Sequence, residues 1–230
     1  MLIGPQNLTA QVSRIRAQIA DAAAAAGRDP ASVTLVAVTK AKGAEYVRAA
    51  ATAGVTDFGE NYVKEALGKM DELGGLPVRW HFIGALQSNK TRPVAERFAW
   101  VHSLDRVSVA RRLSEQRPFH APPLNVCIQV ALVAEPAKGG VEPAALAELA
   151  HGVAKLPRLK LRGLMCVPPP LPDEVSQRAM FARLRRHLEE LKSTGLDLDT
   201  LSMGMSADFQ AAIAEGATQV RIGTALFGSR

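Results

Sequence analysis

Only two cysteines, Cys127 and Cys166, occur in 230 residues, and neither has a Cys or His nearby at ligand spacing. That rules out a disulfide framework and a structural zinc site, and leaves two buried free thiols as the expectation, since each lies in an apolar stretch that reads as a strand. No apolar run approaches the ~18 residues needed to span a bilayer, so no membrane partner is expected. The start, Met1-Leu2-Ile3-Gly4-Pro5-Gln6-Asn7, lacks a basic patch followed by an apolar core. No secretory signal is read there, and a cytoplasmic protein is expected. The chain also lacks a composition break, a long linker, a low-complexity tail and an internal repeat, which points to one domain over residues 1–230. Absence of an exposed heptad or apolar stripe favours a monomer.

Charge is present but not organised. The formal net charge is +6 and the pI near 9.6, a balance that could serve nucleic acid or acidic ligands. The basic residues are scattered, however. The one dense cluster, Arg183-Leu184-Arg185-Arg186, is followed by Glu189 and Glu190 on an expected helix, as on a solvated face. No nucleic-acid partner is expected.

With 47% hydrophobic residues the chain can bury a sizeable core. Leu8, Val12, Ile15, Ile19 and Ala22 recur at helical steps, and Gly27 and Pro30 end the pattern, which predicts an opening helix over 8–26. Short apolar runs then predict strands at 33–39, 56–59, 79–83, 100–103, 124–132, 160–167, 200–203 and 219–222. Helical patterns fall between them at 44–53, 62–73, 91–98, 106–116, 144–154, 173–192 and 207–215. Runs such as Leu35-Val36-Ala37-Val38 are apolar on both faces, which suits a parallel sheet covered by helices. Eight βα units in series predict an α/β fold, a single (β/α)8 TIM-type barrel with an extra N-terminal helix. The prolines at 168–170 and 172 read as a stiff loop after the sixth strand.

Polar residues gather where these strands end: Thr39-Lys40, Glu60-Asn61, Gln87 to Lys90, Ser103, Glu135, Ser202 to Ser206 and Gly223-Thr224. In an α/β barrel those ends form one face, the face that carries the active site. Alternation puts Lys40 on the same face as Val38, Val36 and Thr34. It reads either as a lysine snorkelling from a strand end or as a partly desolvated amine, nucleophilic toward an aldehyde. Lys42, beyond the strand beside Gly43, ranks behind it. Arg221 lies between Val220 and Ile222, which are expected to pack outward, so its guanidinium is directed into the barrel. There it needs a structural carboxylate or a ligand. The loops Ser202-Met203-Gly204-Met205-Ser206 and Gly223-Thr224-Ala225 offer glycines, hydroxyls and backbone N–H groups, which together suggest a phosphate site.

Several segments together resemble the pyridoxal-phosphate homeostasis proteins, whose barrel is similar to the N-terminal domain of alanine racemase. They are Val36 to Lys42, Phe58 to Val63, Trp80 to Lys90, Glu135 to Gly140, Gly163 to Met165, Leu201 to Ser206 and Val220 to Thr224. They run in the family's order across nearly the whole chain. The resemblance implies pyridoxal 5′-phosphate as cofactor, held as an aldimine on Lys40, with Arg221 meeting the pyridine nitrogen. It also implies that Ser206 and the Gly223 and Thr224 backbone hold the phosphate, with Asn61, His81 and Met203 beside the ring. Taken singly, His81 reads equally as a hydrogen-bonded core histidine and Met203 as barrel filling. Gly43 and Ala85 stand where prolines are usual and Ala207 where an acidic residue is common, departures that touch loop rigidity and no proposed contact.

The implied role is intracellular vitamin B6 homeostasis or delivery of the cofactor to apo-enzymes, without turnover of its own. Arginine disfavours a protonated pyridine nitrogen and so weakens the ring as an electron sink. The second domain from which alanine racemase-like enzymes draw a proton-transfer group has no counterpart after the eighth strand. Tyr46, Tyr62 and His81 have no evident placement for that role, and no catalytic residue or metal ligand is assigned. The alternative reading is a pyridoxal-phosphate-dependent racemase or related enzyme; a basic nucleic-acid binder is a third.

Overall fold

Period-two alternation in short apolar strands sorts side chains between two cores, and the fold follows from that division. The computed structural model describes residues 3–133 and 139–228. Its strands are β1 (Thr34–Val38), β2 (Asp57–Glu60), β3 (Arg79–Phe82), β4 (Trp100–Leu104), β5 (Leu124–Gln129), β6 (Leu159–Met165), β7 (Thr200–Ser202) and β8 (Gln219–Ile222). Each pairs in parallel with the next. The pairing of Thr34 with Gln219 through Ala37 with Ile222 joins β8 to β1 and closes the barrel.

Helix α1 (Leu8–Ala25) precedes β1. The helices α2 (Ala44–Thr52), α3 (Val63–Glu72), α4 (Thr91–Arg97), α5 (Val107–Gln116), α6 (Pro143–Ala154), α7 (Glu174–Ser193) and α8 (Phe209–Ala214) carry the chain from each strand to the next. A four-residue α9 (Thr224–Phe227) follows β8. The extra helix buries Leu8, Val12, Ile15 and Ile19, packing between α8 and α2 in the outer ring. Its apolar stripe thus serves the space that the short α8 leaves.

Outward-facing Ala37, Phe58, Phe82, Val101, Val126, Leu164, Leu201 and Val220 join the helices in the main core. The barrel interior is different. Such interiors are usually filled by layers of Val, Ile and Leu. Here the inward positions include Val36 and Val38, a cluster of Trp100, Cys127 and Met165, and the buried polar residues Asp57, His81, His102, Ser202 and Arg221. Both cysteines are free and buried, and burial pushes each thiol up to about 12.

The elements depart from the sequence expectation mainly at their ends. The fifth strand stops at Gln129, beyond which Val130 makes an isolated bridge to Val141. The helix expected over 207–215 is shorter, because Met205 to Asp208 form a turn in which the Met205 N–H donates to Asp208 Oδ1 at 2.6 Å. No described helix is long and apolar enough to cross a membrane.

Close strand packing makes one glycine obligatory. A Cβ on Gly163 of β6 would lie 1.8 Å from the Thr200 carbonyl oxygen of β7, so backbone would have to move. Gly163→Ala is expected to lower the unfolding free energy by about 1–3 kcal/mol, the range for overpacked interiors, read from urea denaturation monitored by circular dichroism.

Candidate functional site

Lys40 leaves β1 on a tight turn. The Lys42 N–H donates to the Thr39 carbonyl at 3.0 Å, and Ala41, third residue of the turn, has φ of +59°. That is the left-handed conformation a type II turn demands at this position, usually met by Gly or Asn. Helix α3 holds the strain in place. Glu65 Oε1 accepts the Ala41 N–H at 2.6 Å. Lys69 Nζ donates to the Thr39 carbonyl at 2.6 Å, to Glu60 Oε1 at 2.6 Å and to Glu65 Oε1 at 2.7 Å. The Thr39 hydroxyl donates to the same Glu60 oxygen at 2.6 Å. Burial pushes the Glu60 carboxyl up against the pull of Lys69.

The result is a clamp behind the turn with the Lys40 side chain on its open side. Lys40 is exposed, which matches the snorkelling alternative of its sequence reading better than a partly desolvated amine. It engages no other described residue.

Arg221 points into the barrel, as its place between two outward apolar residues predicts, and is 4% exposed. Its partners are neutral: Nη1 donates to Ser202 Oγ at 2.7 Å and Nη2 to the Cys166 carbonyl at 2.8 Å. Among the described residues it forms no ion pair, so the structural carboxylate that the sequence left open is absent from its contacts. Register places Arg221 beside Val36, four residues or about 13 Å along the strand below Lys40 at the usual rise. The guanidinium bonds Ser202 of β7 and the Cys166 carbonyl just after β6. A cleft lined by Gln129, Leu132, Gly139, Cys166 and Pro168 opens at the ends of β5 and β6.

The buried polar chain continues below Ser202. His102 Nδ1 lies 2.7 Å from Ser202 Oγ, His102 Nε2 lies 2.9 Å from His81 Nδ1, and His81 Nε2 lies 2.9 Å from Asp57 Oδ1. Arg79 closes the chain with two bonds to the Asp57 carboxylate, both 2.7 Å. Burial pushes the Asp57 carboxyl up, but hydrogen bonds from His81, Arg79 and Thr56 outweigh it and hold the group well below the ordinary carboxylate range. Burial lowers both imidazoles: His81 against the attraction of Asp57, and His102 further, with the charges of His81 and Arg221 adding to it.

The loops after β7 and β8 are tied together, Ser206 Oγ accepting the Ala225 N–H at 3.1 Å. Gly204 has φ of +92°, and a Cβ there would meet Ala212 Cβ at 2.6 Å, so only glycine brings this loop so close to α8. Gly223 is half-buried and Thr224 exposed at the start of α9. Asn61 stands at the end of β2 with its Oδ1 buried and unpartnered.

The structure therefore brings Lys40, Asn61, Ser206, Arg221, Gly223 and Thr224 to the C-terminal end of the barrel. His81 lies deeper, fully buried and stacked on Trp100 at 5.6 Å. Met203 is fully buried in the main core, on the opposite face from Ser202. Glu135 lies outside the described residues. Asp57 and His102 in the buried chain and Lys69 in the clamp had been assigned no role, and Ser202, read as part of the phosphate loop, bonds Arg221 and His102 instead. Their signal was periodic: polar residues at inward positions of strands, and a lysine in register with buried Ala66 and Met70 of α3.

A closed barrel with an exposed lysine just past β1 and a buried arginine on the neighbouring β8 narrows the class before any comparison is made. The family described as "Alanine racemase, N-terminal domain" matches residues 11–230. Pyridoxal phosphate homeostasis protein of Pseudomonas aeruginosa is 59% identical over 219 residues, covering 95% of this chain and 94% of that one. The Escherichia coli K12 protein of the same name is 49% identical over 222 residues, covering 95% of each. PipY of Synechococcus elongatus PCC7942, solved with PLP bound, superposes with a TM-score of 0.86 at 38% identity, over 96% of this chain and all of that one. An alanine racemase of Clostridium difficile 630 shares the fold at 14% identity, with a TM-score of 0.75. The chain belongs to the pyridoxal phosphate homeostasis proteins, within the alanine racemase N-terminal domain family.

Two outcomes follow from this geometry. Ala41→Gly removes the left-handed strain at some cost in unfolded-chain entropy, and is expected to raise the unfolding free energy by up to about 1 kcal/mol in chemical denaturation. The imidazoles refuse protons in the folded state that they accept when unfolded, so stability is expected to fall as pH drops below about 6.5. Asp57, held low, adds a further loss below about pH 4, where the unfolded chain takes up a proton first. Burial-raised Glu60 and Asp208 act in the opposite sense, so the imidazole share is read as the part of the slope that His102→Gln removes.

Proposed function

We propose that this protein binds pyridoxal 5′-phosphate at the C-terminal mouth of the barrel, held on Lys40 as a Schiff base. It would act in intracellular, cytoplasmic vitamin B6 homeostasis or in delivery of the cofactor to apo-enzymes, as a single-domain monomer without turnover of its own. The observation that carries this reading is the exposed Lys40 amine, presented by a clamped turn on the strand next to buried Arg221. PipY, solved with PLP bound, supports the same ligand.

The residues present fit the group. Arg221 spends two of its five N–H donors on Ser202 and Cys166 and keeps others for the pyridine nitrogen. The tied β7 and β8 loops supply the Ser206 hydroxyl and the Gly223 and Thr224 backbone for the phosphate. The orphaned Asn61 Oδ1 has a lone pair to offer a donor beside the ring. His81 acts on the ring only from beneath, through His102, Ser202 and Arg221, and Met203 backs the β7 loop by packing on the helix side. When bound, the cofactor supplies a reactive aldehyde. The protein's part is to hold it reversibly, because Lys40 is open to water and to an incoming amine.

Borohydride reduction of the protein mixed with the cofactor is expected to leave a pyridoxyl adduct that peptide mapping finds on Lys40. Lys40→Ala is expected to lose the yellow imine absorbance; an undiminished absorbance in that variant would refute the assignment. Exchange of the α-hydrogen of amino acids in heavy water, at rates above those of free cofactor, would favour a racemase-like enzyme instead.

A further inference from the structure

We propose that Asp57, His81, His102 and Ser202 are positioning residues for Arg221, forming a hydrogen-bond relay with one donor direction that reaches from the base of the barrel to the cofactor's ring nitrogen. The inference rests on the proposed cofactor site and adds a device beneath it.

The direction follows from donor inventory. An ionised Asp57, fixed by two bonds from Arg79, can only accept, so His81 Nε2 carries a proton and donates to it. With His81 neutral, its Nδ1 is an acceptor, and His102 must place its own proton on Nε2. His102 Nδ1 is then an acceptor as well, and the Ser202 hydroxyl donates to it across 2.7 Å. That turns a Ser202 lone pair toward Arg221 Nη1, again at 2.7 Å. Every polar atom along the path is satisfied once, and no alternative arrangement of neutral imidazoles satisfies them all.

Each link fixes the next. Without an acceptor at His102 Nδ1, the Ser202 hydroxyl could rotate and turn its proton toward the guanidinium. Without Asp57, His81 could take the other tautomer and the whole chain could reverse. Stability alone does not ask for such a filling, because apolar side chains fill barrel interiors without the desolvation cost of a buried charge. At the far end Asp57 is already paired with Arg79, and the carboxylate that attracts Arg221 is Asp208, so the chain's part is to fix orientation. The relay therefore presents Arg221 as a fixed donor.

The test uses the full-length protein. In the cofactor-free state, nitrogen-15 spectra of the imidazoles are expected to show His81 and His102 neutral, each protonated on Nε2. His102→Leu is expected to weaken cofactor retention roughly tenfold, the loss of about one hydrogen bond's worth of positioning, and to shift the absorbance maximum of the bound cofactor. His102→Gln, which keeps one donor and one acceptor, is expected to restore both. Asp57→Asn keeps a hydrogen-bond acceptor and removes the charge, and is expected to shift the absorbance although it lies at the other end of the barrel. A proton on His102 Nδ1, or folded His102→Leu and Asp57→Asn proteins with parental absorbance and retention, would overturn the relay. A parental protein that takes up no cofactor would overturn the proposed function instead, which the imidazole spectra distinguish.

Discussion

A guanidinium buried in a barrel without a carboxylate beside it is the constraint around which the interior is arranged. Removing such a charge from water is costly unless its donors are met. Two of them are met by a serine hydroxyl and a backbone carbonyl, neither of which carries charge. Asp57, itself paired with Arg79, stands three polar side chains away, joined through Ser202, His102 and His81, while Asp208 attracts the guanidinium without bonding it. Polar residues at five inward positions are thus one unit, and the apolar filling normal for this architecture is left to residues such as Val36, Val38, Ile83 and the Trp100 cluster.

A second constraint acts at the other side of the mouth. The turn that presents Lys40 contains a strained Ala41, and strain persists only where the surroundings over-determine it. Here Glu65 and Lys69 grip the turn from α3, while Glu60 and Thr39 grip Lys69 in turn. The same four residues bond one another and fix the backbone on either side of Lys40, although Glu60 Oε2 is buried without a partner. What remains unconstrained is the lysine side chain itself, which suits an amine meant to meet an incoming partner.

The barrel was legible in the sequence because its signal is periodic and long. Eight apolar runs alternating with helical patterns leave few other folds, and the inward direction of Arg221 followed from its two apolar neighbours alone. The ends were less legible: hydrogen bonding around Met205 to Asp208 shortened α8, and the fifth strand stopped before the segment whose placement lies outside the described residues. The polar residues at strand ends were legible because polarity there stands out against apolar runs. The buried network was not found, because Asp57, His102 and Ser202 each look like ordinary strand punctuation until register places them in one column. His81 was picked out but set beside the ring, whereas its bonds to Asp57 and His102 put it in the layer beneath. Met203 faces the helices, one residue past the inward Ser202, so alternation in β7 already argued for packing.

The direction of the buried chain bears on why binding need not entail turnover. In the proposed complex Arg221 would meet the ring nitrogen with N–H donors, its acceptor partners Ser202 and the Cys166 carbonyl lying below. A nitrogen that only accepts stays unprotonated, and an unprotonated pyridine withdraws electrons weakly from a bound amino acid. An aspartate at the same place would reverse that polarity and favour carbanion chemistry. Reversible capture through Lys40 needs no electron sink, only an accessible amine and a firm grip on ring and phosphate. In the proposed complex, the interior built around Arg221 would therefore suit holding the aldehyde more than transforming what condenses with it.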